Sequence, residues 1–274
     1  MHSVKLNNNY EMPIIGLGTF RSKKNDAYNA VKAALEGGYR HIDTAMIYGN
    51  EEEVGRAIKD SNIPREEIFV TTKLWNTDQG YEKTLEAFNT SLKNLGLDYI
   101  DLYLIHWFKG YDNALSTYRA FETLYEEGKV KAIGVSNFNV HHLMYLMENA
   151  KIPPMVNQVE THVTLQNHFL HDYCKKNNIQ LEAYAPLMSH QIKDLLSNET
   201  MAKIAKKHDK TIPQIAIRWL IEREIVVIPK SITPERIVQN FDVFDFTLDE
   251  EDMKSIRSVN TGKKIFTEFD NVDY

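Results

Sequence analysis

The chain has 274 residues, 43% hydrophobic and 26% charged, with a formal net charge of -6. This is the make-up of a folded protein with a substantial core, and the interspersed charges disfavour nucleic acid or an anionic membrane as partner. No stretch nears the roughly 18 uninterrupted apolar residues of a membrane span, the opening "MHSVKLNNNYEMP" lacks a secretory layout, and Cys174 is the sole cysteine, so a reducing, cytoplasmic setting without an internal disulfide is expected.

In chain order, "SVKLNNNYEMPI" reads as a small hairpin with Asn-rich turn chemistry. A strand, "IIGLGT", leads to the helix pattern "DAYNAVKAALEGG", which ends in a Gly pair. The strand "GYRHIDTA" follows, then "NEEEVGRAIKD", where Asn50 is the expected N-cap and acids fill the first turn favoured by the helix dipole. After the strand "IFVTTKL", the segment "DQGYEKTLEAFNTSLKNLG" places Tyr81, Leu85, Phe88, Leu92 and Leu95 on one helical face, and Gly96 supplies the stop. Further strands read as "YIDLYLIHW", "VKAIGVSN", "MVNQVE", "IQLEAYAP" and "IVVIPKS". Two helices are expected between the last two, and "LDEEDMKSIRSV" is expected to pack outside the sheet.

Strand and helix alternate about eight times with no linker of Pro, Gly or Ser, which predicts one domain over residues 1–274. Near-continuous apolar strands joined by helices imply a parallel sheet. Eight units in this length fit an α/β closed (β/α)8 barrel, with an N-terminal hairpin and extra C-terminal helices, better than an open doubly wound sheet.

A parallel barrel gathers its chemistry at the C-terminal strand ends. Those ends carry Thr19, Asp43, Lys73, His106, Ser136 with Asn137, Gln158, Tyr184, and Lys230 with Ser231. Polar strand ends are ordinary, but Asp, Lys and His enter a barrel interior only when paired. Asp43 is the natural partner that keeps a buried Lys73 charged. A charged Lys73 is expected to lower the pKa of a nearby phenol, Tyr48, in the loop beyond Asp43, and His106 to donate a second hydrogen bond to an oxygen held there. Such a site protonates a carbonyl oxygen. It needs an incoming nucleophile, and a hydride from a reduced nicotinamide meets that need. "GLGTF" lacks the third glycine of a dinucleotide fingerprint, so a Rossmann reading is poor. In "IPKSITPERIVQN", Lys230, Ser231 and Arg236 flank a helix start and suit a 2'-phosphate. Tyr184 is placed to stack on a nicotinamide, with Ser136, Asn137 and Gln158 meeting its carboxamide.

At these residues the chain closely resembles the aldo-keto reductase family, on "HIDTAMIYGNEEEVG", "LGLDYIDLYLIHW", "VKAIGVSNF" and "IVVIPKSITPERIVQN", with "PIIGLGTF" and "VTTKLW" extending the match. The resemblance implies a barrel that reduces aldehydes or ketones with NADPH. It assigns Asp43, Tyr48, Lys73 and His106 to a catalytic tetrad with Tyr48 as the acid. It assigns Ser136, Asn137, Gln158 and Tyr184 to the nicotinamide, Lys230, Ser231, Arg236 and Asn240 to the adenosine phosphate end, and Thr19 to the region of the nicotinamide ribose. Phe108 stands where many members have proline, and Ala185 where serine is frequent. Short loops after His106 and Pro186 suggest an open, shallow pocket, walled by Met46, Trp75, Trp107 and Phe108. The chain looks most like short prokaryotic-type members that accept small ketoaldehydes, aryl aldehydes and diketo-sugar acids, and a monomer is expected. Three other readings compete. A Schiff-base lyase would use Lys73, a metal hydrolase would use His41, Asp43 and His106, of which only His41 and Asp43 share a strand face and which find no further ligands to complete a site, and a regulatory barrel would bind NADPH without turnover. The pairs His141 with His142 and His168 with His171 read as solvated helix surface, and Cys174 as a packed thiol.

Overall fold

The computed structural model describes residues 2–267. Two short antiparallel strands, β1 (Ser3–Lys5) and β2 (Glu11–Pro13), form the N-terminal hairpin, with Ser3 opposite Pro13. Eight parallel strands follow in sequential order: β3 (Leu17–Gly18), β4 (His41–Asp43), β5 (Phe69–Leu74), β6 (Ile100–Ile105), β7 (Val130–Ser136), β8 (Val156–Glu160), β9 (Gln180–Tyr184) and β10 (Val226–Val227). The first and last of the eight meet. Ile15 bridges Val227 in parallel, the Gly16 N–H donates to the Val227 carbonyl at 2.8 Å, and the Val227 N–H donates to the Ile14 carbonyl at 2.9 Å. The sheet is therefore the expected closed barrel, without a free edge between β3 and β10.

The helices are α1 (Lys24–Glu36), α2 (Glu51–Asp60), α3 (Tyr81–Leu95), α4 (Tyr111–Glu126), α5 (Val140–Asn149), α6 (His168–Lys176), α7 (Ile192–Leu196), α8 (Glu199–His208), α9 (Ile212–Glu222), α10 (Pro234–Phe241) and α11 (Glu250–Ser258). Three helices, not the expected two, lie between β9 and β10. The five-residue α7 was too short to carry a helical period of its own. As expected, α11 packs outside, against α8, where Lys207 and His208 meet Asp252 at 2.9 and 2.7 Å.

In α3 the expected apolar stripe is only partly the buried face. Phe88 and Leu95 are buried, Leu85 and Leu92 are half-buried, and Tyr81 is exposed, its hydroxyl 3.1 Å from that of Thr123 on α4. Thr84, Ala87 and Ser91 are buried instead, because small residues let the helix come close to its neighbours while the larger ones fill the flanking grooves. Gly96 ends the helix in the left-handed region at φ 62° as predicted. Close approach is sharpest at Gly55 of α2, where a Cβ would stand 1.9 Å from the Leu95 carbonyl oxygen.

The hairpin closes the N-terminal end of the barrel. Asn8 donates to the Lys131 carbonyl at 2.9 Å, and Tyr10 donates to Asp101 at 2.6 Å, where Arg65 also binds at 2.6 Å. The opposite end is where the predicted functional residues collect.

Candidate active site

Strand register sets the centre of the site. Asp43 ends β4 opposite Gly18 and Thr71, and Lys73 lies two residues beyond Thr71 on β5, on the same face of that strand. Both are almost fully buried, and Lys73 Nζ donates to Asp43 Oδ1 at 2.6 Å and to the Thr44 carbonyl at 2.9 Å. Burial pushes the Asp43 carboxyl up, while the Lys73 ammonium and the Gln158 amide pull it back. An ammonium held by a carboxylate and a carbonyl is poorly suited to attack a carbonyl as a free amine, which disfavours the lyase reading.

Tyr48 is delivered by a short 3-10 turn, Met46–Tyr48, directly after β4. Lys73 Nζ lies 5.2 Å from its ring centroid, and the His106 ring meets it edge-on at 5.7 Å. The expectation that Lys73 would lower the phenol pKa is corrected here. Burial raises it well above 10, and the carboxyls of Asp43 and Glu182 add to the rise. His106 moves the other way. Its ring is buried, and desolvation together with Lys73 holds it well below 6.5, so it is a neutral imidazole at physiological pH. Trp75 packs edge-on against it at 5.2 Å and Trp107 stacks at 6.4 Å.

The remaining rim residues are tied together. Ser136 Oγ donates to the Gln158 carbonyl at 2.8 Å. Asn137, at φ 61°, donates through its amide to the His106 carbonyl and to Ser136 Oγ, both at 3.0 Å, and accepts from the Tyr184 hydroxyl at 2.9 Å. Thr19 Oγ1 donates to the Asp43 carbonyl at 3.0 Å. Beyond β10, Ser231 and Asn240 are buried while Lys230 and Arg236 are exposed, flanking the start of α10 at Pro234. Among the described residues neither Lys230 nor Arg236 forms a salt bridge. Partial desolvation of its ammonium lowers Lys230, opposed by the charge of Asp26 and helped by that of Arg21.

Residues 14–261 match the model of the aldo/keto reductase family. The chain belongs to that family. It is 54% identical over 264 residues to the glyoxal reductase of Bacillus subtilis (strain 168), covering 96% of this chain and 94% of that protein. It is 42% identical over 263 residues to methylglyoxal reductase DkgA of Escherichia coli (strain K12), again covering 96% and 94%. A solved aldo-keto reductase, MGS-M4 from a Medee basin deep-sea metagenome library, is 99% identical over the whole of both chains, with a TM-score of 0.98. The relatives are of the short prokaryotic type that the resemblance had indicated.

Within this aldo/keto reductase barrel several residues were missed or misread in the sequence. Asn50 stands at the N-cap position of α2 but does not cap it. Its side chain is buried, accepts from Thr44 Oγ1 at 2.7 Å, and donates to the Thr19 and Ser22 carbonyls at 3.1 Å, fastening the loop after β3 to the loop after β4. Glu182 lies fully buried on β9 opposite Gln158. It carries the same signal as Asp43, an acid inside an apolar strand, although it lies two residues before the end of that strand. Glu160, at the end of β8, accepts from the backbone N–H of Ile265 at 2.6 Å and of Phe266 at 3.1 Å. This sets the Phe266 ring 6.0 Å from Tyr184 and 6.2 Å from Phe20, narrowing a mouth expected to be open.

Met46, Trp75, Trp107 and Phe108 are all partly exposed around the site. His142 is not solvated surface. It stacks on Phe108 at 3.7 Å and accepts from the Asn139 N–H, and burial lowers its pKa to about 4. His171 is likewise half-buried and lowered to about 4, and His168 is half-buried too. His41 is fully buried against Phe69 and Thr71, lowered by desolvation to about 3. The Cys174 thiol is buried and pushed up to about 12, which suits packing rather than attack.

Proposed function

We propose that the protein reduces small aldehydes and ketones to alcohols with NADPH, Tyr48 acting as the proton donor with Lys73, Asp43 and His106 in support. The observation that carries this reading is the buried Lys73–Asp43 pair lying against the Tyr48 ring beside a neutral His106. When bound, a reduced nicotinamide supplies the hydride.

The protein's own groups handle the proton. A phenol with a raised pKa stays protonated across the physiological range, so it is ready to donate to a carbonyl oxygen. Two of the three N–H groups of Lys73 are taken by Asp43 and Thr44, and the charge of the ammonium, 5.2 Å from the Tyr48 ring centroid, favours the negative charge that builds on the phenol. Stabilisation of this kind acts mainly as charge develops, which favours the transition state over the bound substrate. Neutral His106 donates a hydrogen bond to the same carbonyl oxygen without competing for its proton.

The residues present fit the cofactor. Lys230 and Arg236, exposed cations without a carboxylate partner among the described residues, offer a 2'-phosphate its counter-charge at the α10 start, with Ser231 and Asn240 beside them. Ser136, Asn137, Gln158 and Tyr184 line the place for the nicotinamide, and Thr19 the ribose. Aromatic rings of Phe20, Tyr184 and Phe266 gathered at the mouth, and relatives named for glyoxal and methylglyoxal, support a small substrate. Small ketoaldehydes come first, with aryl aldehydes and keto-sugar acids next. The same reading takes the chain as a single-domain, monomeric cytoplasmic enzyme without nucleic-acid or membrane partners. Among the described residues no helix is long and apolar enough to cross a membrane.

The test is a panel of small aldehydes, ketoaldehydes and keto-sugars assayed with both reduced nicotinamides and ranked by kcat/KM. Oxidation of NADPH by methylglyoxal or an aryl aldehyde is expected. Tight NADPH binding with no turnover across the panel would replace this reading with a regulatory role.

A further inference from the structure

Below the Lys73–Asp43 pair, the barrel interior holds a second carboxyl that the proton chemistry above does not use. Glu182 and Gln158 are paired across β8 and β9, and both are at most 2% exposed. Gln158 Nε2 stands 2.8 Å from Asp43 Oδ2 and 2.8 Å from Glu182 Oε2. A primary amide nitrogen carries two hydrogens, and here each is claimed by a different carboxyl. Were the amide turned over, its carbonyl oxygen would face Asp43 Oδ2, which would lose its donor, and Glu182 could meet that oxygen only by carrying a proton on Oε2, a costly arrangement in a buried site. The two carboxyls thus fix which end of Gln158 points inward. Its Oε1 is left over, and among the described residues no group donates to it.

We propose that Glu182 is a positioning residue for the reaction: by holding the inner N–H of Gln158, it presents Gln158 Oε1 toward the mouth as an acceptor that selects a ligand bearing an N–H donor, the primary amide of a nicotinamide. The inference rests on the nicotinamide reading above and adds a reason for the amide selectivity of the site. Asp43 alone would not set the orientation so firmly, because its carboxylate is already shared with Lys73. Asp43, Lys73, His41 and Tyr48 are the charged and titratable groups around Glu182. His41 Nε2 lies 3.7 Å from Glu182 Oε1, an oxygen without a hydrogen-bond partner among the described residues. Burial and the neighbouring Asp43 push Glu182 up to about 8. A proton taken up by this carboxyl belongs on Oε1, while Oε2 goes on accepting from Gln158. One ammonium then faces one carboxylate, and the interior is balanced in charge.

The experiment compares equilibrium binding of NADP+ and of 3-acetylpyridine adenine dinucleotide phosphate, in which a methyl replaces the amide nitrogen, by quenching of tryptophan fluorescence. Wild type is expected to prefer NADP+ by about tenfold, the worth of one buried hydrogen bond. In Glu182→Leu the preference should fall to about twofold or less, whereas Glu182→Gln, which keeps an acceptor oxygen, should retain most of it. An unchanged preference in a folded Glu182→Leu overturns the proposal. Should that variant fail to fold, the wild type decides through the side-chain NH2 resonances of Gln158, assigned by their loss in Gln158→Glu. Two separate, exchange-protected hydrogens are expected, and rapid exchange with solvent overturns the idea. If wild type binds neither dinucleotide, the nicotinamide reading itself fails. If it binds both equally, only the role of Glu182 does.

Discussion

A phenol beside an ammonium is easily taken for an acidified phenol, yet Tyr48 shows that the sum of its surroundings matters more than its nearest cation. Burial, with the carboxyls of Asp43 and Glu182 adding to it, raises the phenol, which holds its proton until a substrate oxygen takes on charge. Replacing Tyr48 with Phe should therefore lower kcat by about 10²- to 10⁴-fold, the usual share of general acid catalysis, with the Kd for NADPH nearly unchanged. Stopped-flow turnover alongside fluorescence titration checks this, and retention of most of the rate removes Tyr48 from its role. Arg236 belongs to the other end of the site. Arg236→Ala should weaken NADPH by about 1 to 3 kcal/mol and leave NADH almost untouched, and equal losses for both would reject the phosphate assignment. Legibility in the sequence divides along similar lines. Asp43, Lys73 and His106 announced themselves as ionisable residues in apolar strands. The direction of the Tyr48 shift comes first from burial among residues of other strands, with Asp43 and the distant Glu182 adding to it, and no local pattern carries that.

At the level of elements, alternation of strand and helix was readable because each unit repeats the same two periods. What the periods could not give was the facing of α3, where small residues rather than the Tyr81 stripe set the approach, nor the path of residues 261–266, which have no periodicity and are placed by Glu160 from another strand. The α2–α3 contact offers a direct measure of how tightly the outer ring is packed. A single methyl at Gly55 must displace the Leu95 backbone, so Gly55→Ala should destabilise the fold by roughly 3 kcal/mol, seen as a lowered urea midpoint with an unchanged slope. A loss within about half a kcal/mol would mean that α2 can slide without penalty.

For the whole molecule, titration of buried groups sets the pH range of stability. His41 is depressed from 6.5 to about 3, His142 and His171 to about 4, and His106 well below 6.5. Between those values and 6.5 the folded state binds fewer protons than the unfolded chain, so stability rises with pH in that window and is lost on acidification. Glu182 acts in the opposite sense. Raised from 4.5 to about 8, it stabilises fully below 4.5 and loses that contribution as pH climbs through 8. Four histidines outweigh it on the acid side, and above about 6.5 it acts without them. Thermal melts should therefore peak at roughly pH 6.5 and decline toward about pH 8, and Glu182→Gln should flatten that decline. A melting temperature that keeps rising to pH 8 would contradict the buried-proton account of Glu182.

Closure of the sheet has a bearing on synthesis. The strand that seals β3 is β10, only two residues long and more than two hundred positions downstream. A ribosome must therefore release nearly the entire polypeptide before the ring can shut. Until then every nascent intermediate carries two raw strand margins, the condition under which chains adhere to one another. Yield in a host cell should thus depend on chaperone supply and translation pace more than the finished molecule's stability would suggest.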